Sequence, residues 1–125
     1  MKAPVPLEDS EQAALFQWAA VSEAAHPELA SLYAIPNGGY RHPATAARMK
    51  ATGVKPGVPD TCLPVPRNGF GALYIEMKRR SGGHVSVEQK KWIERLSAQG
   101  NKAVVCHGWE EAVDVIKHYL GIVKE

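Results

Sequence analysis

The sequence predicts an α/β fold in which a mixed β-sheet is flanked by helices. Three observations lead there. Short apolar runs bounded by Pro/Gly turns read as strands, and longer stretches with apolar residues three to four apart read as helices. The two kinds alternate along the chain in the order αβαββαβα. The 125 residues fit one domain over 1–125, with its core expected at about 9–120. A domain this size buries roughly two-thirds of its unfolded surface, so its core needs no disulfide or structural metal.

The first helix is expected from near Asp9, where Asp9 and Gln12 have capping-box spacing, through Leu15, Trp18 and Val21 to about Ala25, with Pro27 ending it. Leu32-Tyr33-Ala34-Ile35 is a short apolar run that Pro36-Asn37-Gly38-Gly39 closes as a turn. Pro43 suits the first position of a short helix to Thr52, with Gly53 as its stop. Between Lys55 and Ala72 lie four prolines and three glycines, yet Thr61-Cys62-Leu63 can form a short strand. Leu73 to Lys78 is the clearest strand in the chain. After Ser81-Gly82-Gly83, Ser86 caps a helix with Gln89 three positions on, and that helix runs through Trp92, Ile93 and Leu96 to Gly100. Ala103-Val104-Val105-Cys106 reads as a buried strand, and residues 109–120 as an amphipathic helix on Ala112, Val113, Ile116 and Leu120.

Composition narrows the function classes. The first residues, from Met1 to Asp9, hold no apolar run of signal-peptide length, and no stretch approaches the roughly 20 apolar residues of a membrane span. Cys62 and Cys106 each sit inside an apolar stretch, which favours buried, reduced thiols and a cytoplasmic setting. The net charge of +2 hides an uneven distribution: residues 1–36 carry one Lys against five acids, whereas residues 37–91 carry ten Lys and Arg against three acids. A basic middle suggests an anionic partner, with a phosphate backbone first among candidates. A solvated basic surface is the alternative from charge alone.

The candidate chemistry lies in that middle. Strand side chains alternate faces, so Leu73, Ile75 and Met77 share one side while Tyr74, Glu76 and Lys78 share the other. A carboxylate and an ammonium on an apolar strand are either an incidental surface pair or a site, because unpaired buried charge is costly. Asp60 bears on that choice. It follows Gly57-Val58-Pro59 at the entry to a short strand, and if that strand pairs with residues 73–78, Asp60 and Glu76 converge. Two carboxylates meeting at one point call for a cation between them, and oxygen-only ligands suit a hard ion such as Mg²⁺. Lys78 beside them can orient a water and offset charge on phosphorus. The set fits phosphodiester hydrolysis.

Pro59-Asp60 followed by Glu76-Met77-Lys78 matches the PD-(D/E)xK nuclease signature, and the surrounding runs are more specific. Ala34-Ile35-Pro36-Asn37-Gly38-Gly39, Gly53-Val54-Lys55-Pro56-Gly57-Val58-Pro59-Asp60, Ile75-Glu76-Met77-Lys78 and Ser86-Val87-Glu88-Gln89-Lys90-Lys91-Trp92 resemble the VRR-NUC branch of that superfamily. The resemblance covers roughly residues 9–120 and implies a restriction-endonuclease-like fold. It implies a metal site of Asp60, Glu76, the backbone carbonyl of Met77 and a first-helix glutamate, matched by position by Glu11, with Lys78 and Gln89 as further catalytic residues. Glu11 shares a helix face with Leu15 and Trp18; its alternative role is an acid set against the helix dipole. Helix capping is the alternative for Gln89.

Asn37 stands where a polar residue near the site is expected. With Arg41, Arg48, Lys50, Lys55, Arg79, Arg80, Lys90 and Lys91 it makes up the candidate DNA contacts, which give affinity without sequence readout. His42 is a further candidate for phosphate contact, and no histidine is assigned to metal. The expectation is a Mg²⁺-dependent endodeoxyribonuclease, with Mn²⁺ as an alternative ion, acting on branched DNA in the cytoplasm of a bacterial or phage-infected cell. The resemblance points to four-way junctions cut by a homodimer. A monomeric flap or nicking nuclease and a non-catalytic DNA-binding protein are the alternatives.

Overall fold

Helix α1 spans Glu8–Ser22 in the computed structural model, which describes residues 4–36 and 42–122. Its N-cap is Leu7, in an extended conformation with no side-chain cap, so the expected capping box at Asp9 and Gln12 does not form. The N–H groups of Ser10 and Glu11 donate to the Leu7 carbonyl instead. Glu8, Asp9 and Glu11 stand in the first turn, where negative charge meets the positive end of the helix dipole. The helix stops at Ser22 rather than Ala25. His26 precedes Pro27 and lies at φ −134°, ψ 84°, outside the α region that a following proline disfavours, and Pro27–Ser31 then make a 3₁₀ turn. Val21 is 84% exposed and does not join the core.

Four strands form one sheet in the order β1-β2-β3-β4: β1 Tyr33–Ala34, β2 Thr61–Leu63, β3 Leu73–Lys78 and β4 Lys102–His107. The β1–β2 and β2–β3 pairs are antiparallel and β3–β4 is parallel, so the sheet is mixed. A parallel step needs a crossover. Helix α3, Val87–Ala98, supplies it, with the Ser86–Gln89 capping box formed in both directions. Helix α2, Pro43–Ala51, begins on its proline, and the Nδ1 atom of His42 accepts from the N–H of Ala44 at 3.2 Å. Helix α4 runs Trp109–Leu120 and ends on Gly121 in the left-handed region. The element order is αβαββαβα, as the sequence predicts.

The core joins Leu15 and Ala19 of α1, Ala112, Ile116 and Tyr119 of α4, and Leu73, Ile75 and Met77 of β3. On the opposite face of β3 lie Glu76 and Lys78, with Gln89 of α3 reaching Glu76. Strand β4 departs from the expected full burial: Lys102 to Val105 are half-buried, because β4 is an edge strand, and Cys106 alone is sealed. Cys62 and Cys106 are both buried free thiols. Among the described residues no helix is long and apolar enough to cross a membrane.

Candidate active site

The site is built where β2 begins. Thr61 pairs with Ile75 in antiparallel register, which sets Asp60 across from Glu76. The main chain of Asp60 is fixed by the N–H of Ile35, which donates to its carbonyl at 2.7 Å. Its side chain turns to the next strand, where Oδ2 accepts from the N–H of Met77 at 2.7 Å. The Met77 side chain points into the core, 1% exposed.

Glu76 is 1% exposed. Its Oε2 accepts from the Nε2 of Gln89 at 3.0 Å and lies 3.6 Å from the Nζ of Lys78. Its Oε1 is buried with no hydrogen-bond partner among the described residues. Burial, then the neighbouring Asp60, pushes the Glu76 pKa up to about 8, and the nearby Lys78 ammonium only partly offsets this. The ion pair and the raised pKa point opposite ways; burial wins, because a carboxylate loses more hydration here than one ammonium at 3.6 Å returns. Lys78 is itself buried, and its stem is closely packed: a Cβ on Gly83 would stand 3.0 Å from the Cβ of Lys78.

Gln89 does two things with one amide. Its Oε1 accepts from the N–H of Ser86 at 2.9 Å to complete the capping box, and its Nε2 donates to Glu76. Capping fixes the amide's rotamer, and that aims its donor at the carboxylate.

Glu11 is not brought to this pair. It is 1% exposed, but both oxygens are taken up: Oε2 accepts from the Nε of Arg80 at 2.8 Å, and Oε1 from its Nη2 at 3.0 Å and from the N–H of Trp109 at 3.1 Å. The Arg80 hydrogen bonds hold the Glu11 pKa below the usual carboxylate range against the opposing effect of burial. Glu11 thus ties α1 to the end of β3 and to the start of α4. The acid that Glu76 does feel from this helix is Glu8, whose charge adds to the upward push. Sequence reasoning passed over Glu8, although it stands three residues before Glu11 on the same helical face. Among the described residues no three His, Cys, Asp or Glu side chains cluster as a metal-binding group. Two carboxylates are nonetheless enough for an ion that keeps several waters, and the orphaned Oε1 of Glu76 fits such an ion.

The basic candidates divide. Arg48 and Lys50 on α2, Lys55 in the loop before β2, and Lys90 and Lys91 on α3 are exposed. Arg79 and Arg80 bond within the chain, although Arg80 is itself exposed. Arg79 donates to the carbonyls of Val5 and Pro6 at 2.8 and 3.2 Å, and Arg80 bridges Glu11 and Glu110. Asn37 and Arg41 lie outside the described residues.

Comparison with known proteins bears on the fold and the family. The profile of the VRR-NUC domain matches residues 7–110. A solved structure described as a VRR_NUC domain protein is 27% identical, with a TM-score of 0.82 over 97% of this chain and 93% of that one. No curated protein matches the chain. The VRR-NUC domain implies a nuclease of the restriction-endonuclease-like superfamily, and the fold matches that of its structural neighbour. Within that superfamily, the chain belongs to the VRR-NUC domain family. Nucleases of this family generally depend on a divalent metal ion, and a nuclease domain implies DNA as its partner.

Proposed function

We propose that the protein is a structure-selective DNA endonuclease that uses Mg²⁺, with Mn²⁺ able to substitute, and that a homodimer of it cuts four-way junctions. The observation that carries the metal reading is the orphaned Oε1 of Glu76, a buried carboxylate oxygen beside Asp60 with no donor to meet it among the described residues. Asp60, Glu76 and the carbonyl of Met77 would hold the ion. A divalent ion there would supply charge against the phosphoryl oxygens and acidify a water molecule.

The chain's own residues set the geometry around it. Gln89 orients the Glu76 carboxylate through its fixed amide. With its stem confined by Gly83, Lys78 presents an ammonium on the same strand face, where it can offset charge that develops on phosphorus. Without metal, Glu76 holds a proton at neutral pH; cation binding would displace it, so Mg²⁺ uptake should release protons. Glu11 serves in this reading as the anchor that holds α1, and with it Glu8, against the site.

The dimer reading rests on symmetry. One domain offers one such site, and a four-way junction needs opposed cuts related by a two-fold axis, which a C₂ pair matches. Labelled four-way, flap and linear DNAs incubated with Mg²⁺ or EDTA test the activity, and sedimentation gives the mass. Paired symmetric cuts by a dimer are expected. Cutting of flaps alone by a monomer would replace this reading with a flap nuclease, and binding without cutting in any metal would leave a DNA-binding protein.

A further inference from the structure

A groove of about 250 Å³ is lined by Lys55, Pro56, Glu88, Lys91, Trp92 and Arg95. Each of its walls is continuous in the chain with a residue of the site. One wall is the loop that carries Lys55 and Pro56 and enters β2 at Asp60. The other is α3, where Trp92 stands three residues after Gln89, roughly 4.5 Å further along the axis. The walls are seated on each other by Gly57, at φ +87°. A Cβ there would fall 2.6 Å from the main-chain carbon of Glu88, so no larger residue fits without separating loop and helix.

The lining has a specific chemistry. Lys55, Lys91 and Arg95 face one acid, Glu88, so the groove favours an anion. The guanidinium of Arg95 lies over the Trp92 ring, 4.7 Å from its centroid, and makes a flat aromatic and cationic platform. At about 250 Å³ the groove falls below the range of roughly 300–1,000 Å³ typical of pockets that enclose a free small molecule. A paired duplex can use the cations but not the platform, because its bases face one another inside the helix. An unpaired nucleotide uses both.

We propose, on the reading of the protein as a DNA nuclease, that this groove holds one unpaired nucleotide of the DNA strand that passes through the site. Lys55 and Lys91 take its phosphates, and its base stacks on the Trp92–Arg95 pair. The groove thereby recognises a branch point, where strands leave the duplex, and places the adjoining phosphate at Asp60 and Glu76.

Fluorescence anisotropy in EDTA, which prevents cleavage, compares a labelled blunt duplex with the same duplex bearing an unpaired oligo(dT) tail. The unsubstituted chain binds the tailed DNA more tightly. Trp92→Ala weakens that binding about 10-fold, the scale of one lost base stack, while blunt-duplex affinity stays within about two-fold, and Arg95→Ala weakens binding of the tailed DNA more than that of the blunt duplex. Trp92→Phe keeps a ring in place and retains most of the preference for the tail, which separates stacking from any misfolding of the alanine variant. Equal losses on both DNAs, or no loss on either, would overturn the proposal while leaving the nuclease reading intact. An unsubstituted chain that binds neither DNA would end both. A dimer that dissociates in Arg95→Ala, with tail preference unchanged, would assign the groove to a second copy of the chain and overturn the proposal as well.

Discussion

Replacing Glu76 with glutamine should stabilise the metal-free protein at alkaline pH while ending its activity. The carboxyl is 1% exposed, its Oε1 meets no donor among the described residues, and its pKa is raised from 4.5 to about 8 by burial and by Asp60. Between those two values the native protein keeps a proton that the unfolded chain has released. The native state then binds more protons, so stability is full below the unfolded pKa and falls as pH rises through the window from 4.5 to about 8. At about 1.4 kcal/mol per pH unit the whole span sets a ceiling of ~5 kcal/mol. Water admitted to the ionised group lowers the realised figure to ~2–4 kcal/mol. Glutamine is uncharged at any pH, so Glu76→Gln should lack this loss. Urea unfolding in EDTA at about pH 5 and about pH 9 should show similar stabilities at the lower pH and a more stable variant at the higher. Mg²⁺ should recover the parent's stability at alkaline pH and leave the variant unchanged. Parallel pH profiles for the two proteins would refute the claim that Glu76 carries the strain.

Three further outcomes follow from the same geometry. Asp60→Asn should abolish cutting with DNA affinity close to the parent's, read by gel shift in EDTA, because exposed cations such as Lys55 and Lys91 carry the binding; retained cleavage would remove Asp60 from the mechanism. Lys78→Ala should slow cleavage by about 10²–10³-fold, the scale of one lost electrostatic stabiliser, with Mg²⁺ affinity by calorimetry little changed; an equal loss of Mg²⁺ binding would make Lys78 a structural counter-ion. Glu11→Gln should destabilise by ~1–3 kcal/mol through its hydrogen bonds to Arg80 and Trp109, with the metal affinity of the folded protein preserved. Loss of Mg²⁺ binding at unchanged stability would return Glu11 to the metal site.

Much of the local structure is encoded by neighbouring residues alone. Leu73–Lys78 alternates faces and folds as that strand, 109–120 is amphipathic and folds as that helix, and Ser86 with Gln89 forms the capping box its spacing predicts. The convergence of Asp60 on Glu76 was legible too, since it needed only a short strand to pair with a clear one. Where local signals were weak, the reading slipped. The Asp9–Gln12 spacing suggested a cap at Asp9, but closure onto the Leu7 carbonyl puts the N-cap two residues earlier. Which partner each charge takes depends on the packing of distant elements. Glu11 and Arg80 lie 69 residues apart in the chain, and no periodicity indicates that they bond to each other. The same holds for Arg79 on the carbonyls of Val5 and Pro6, and for the groove between Lys55 and Trp92. Side-chain alternation and capping are fixed within a few residues of chain, whereas the choice of an ion-pair partner depends on which distant elements the core brings within about 3 Å.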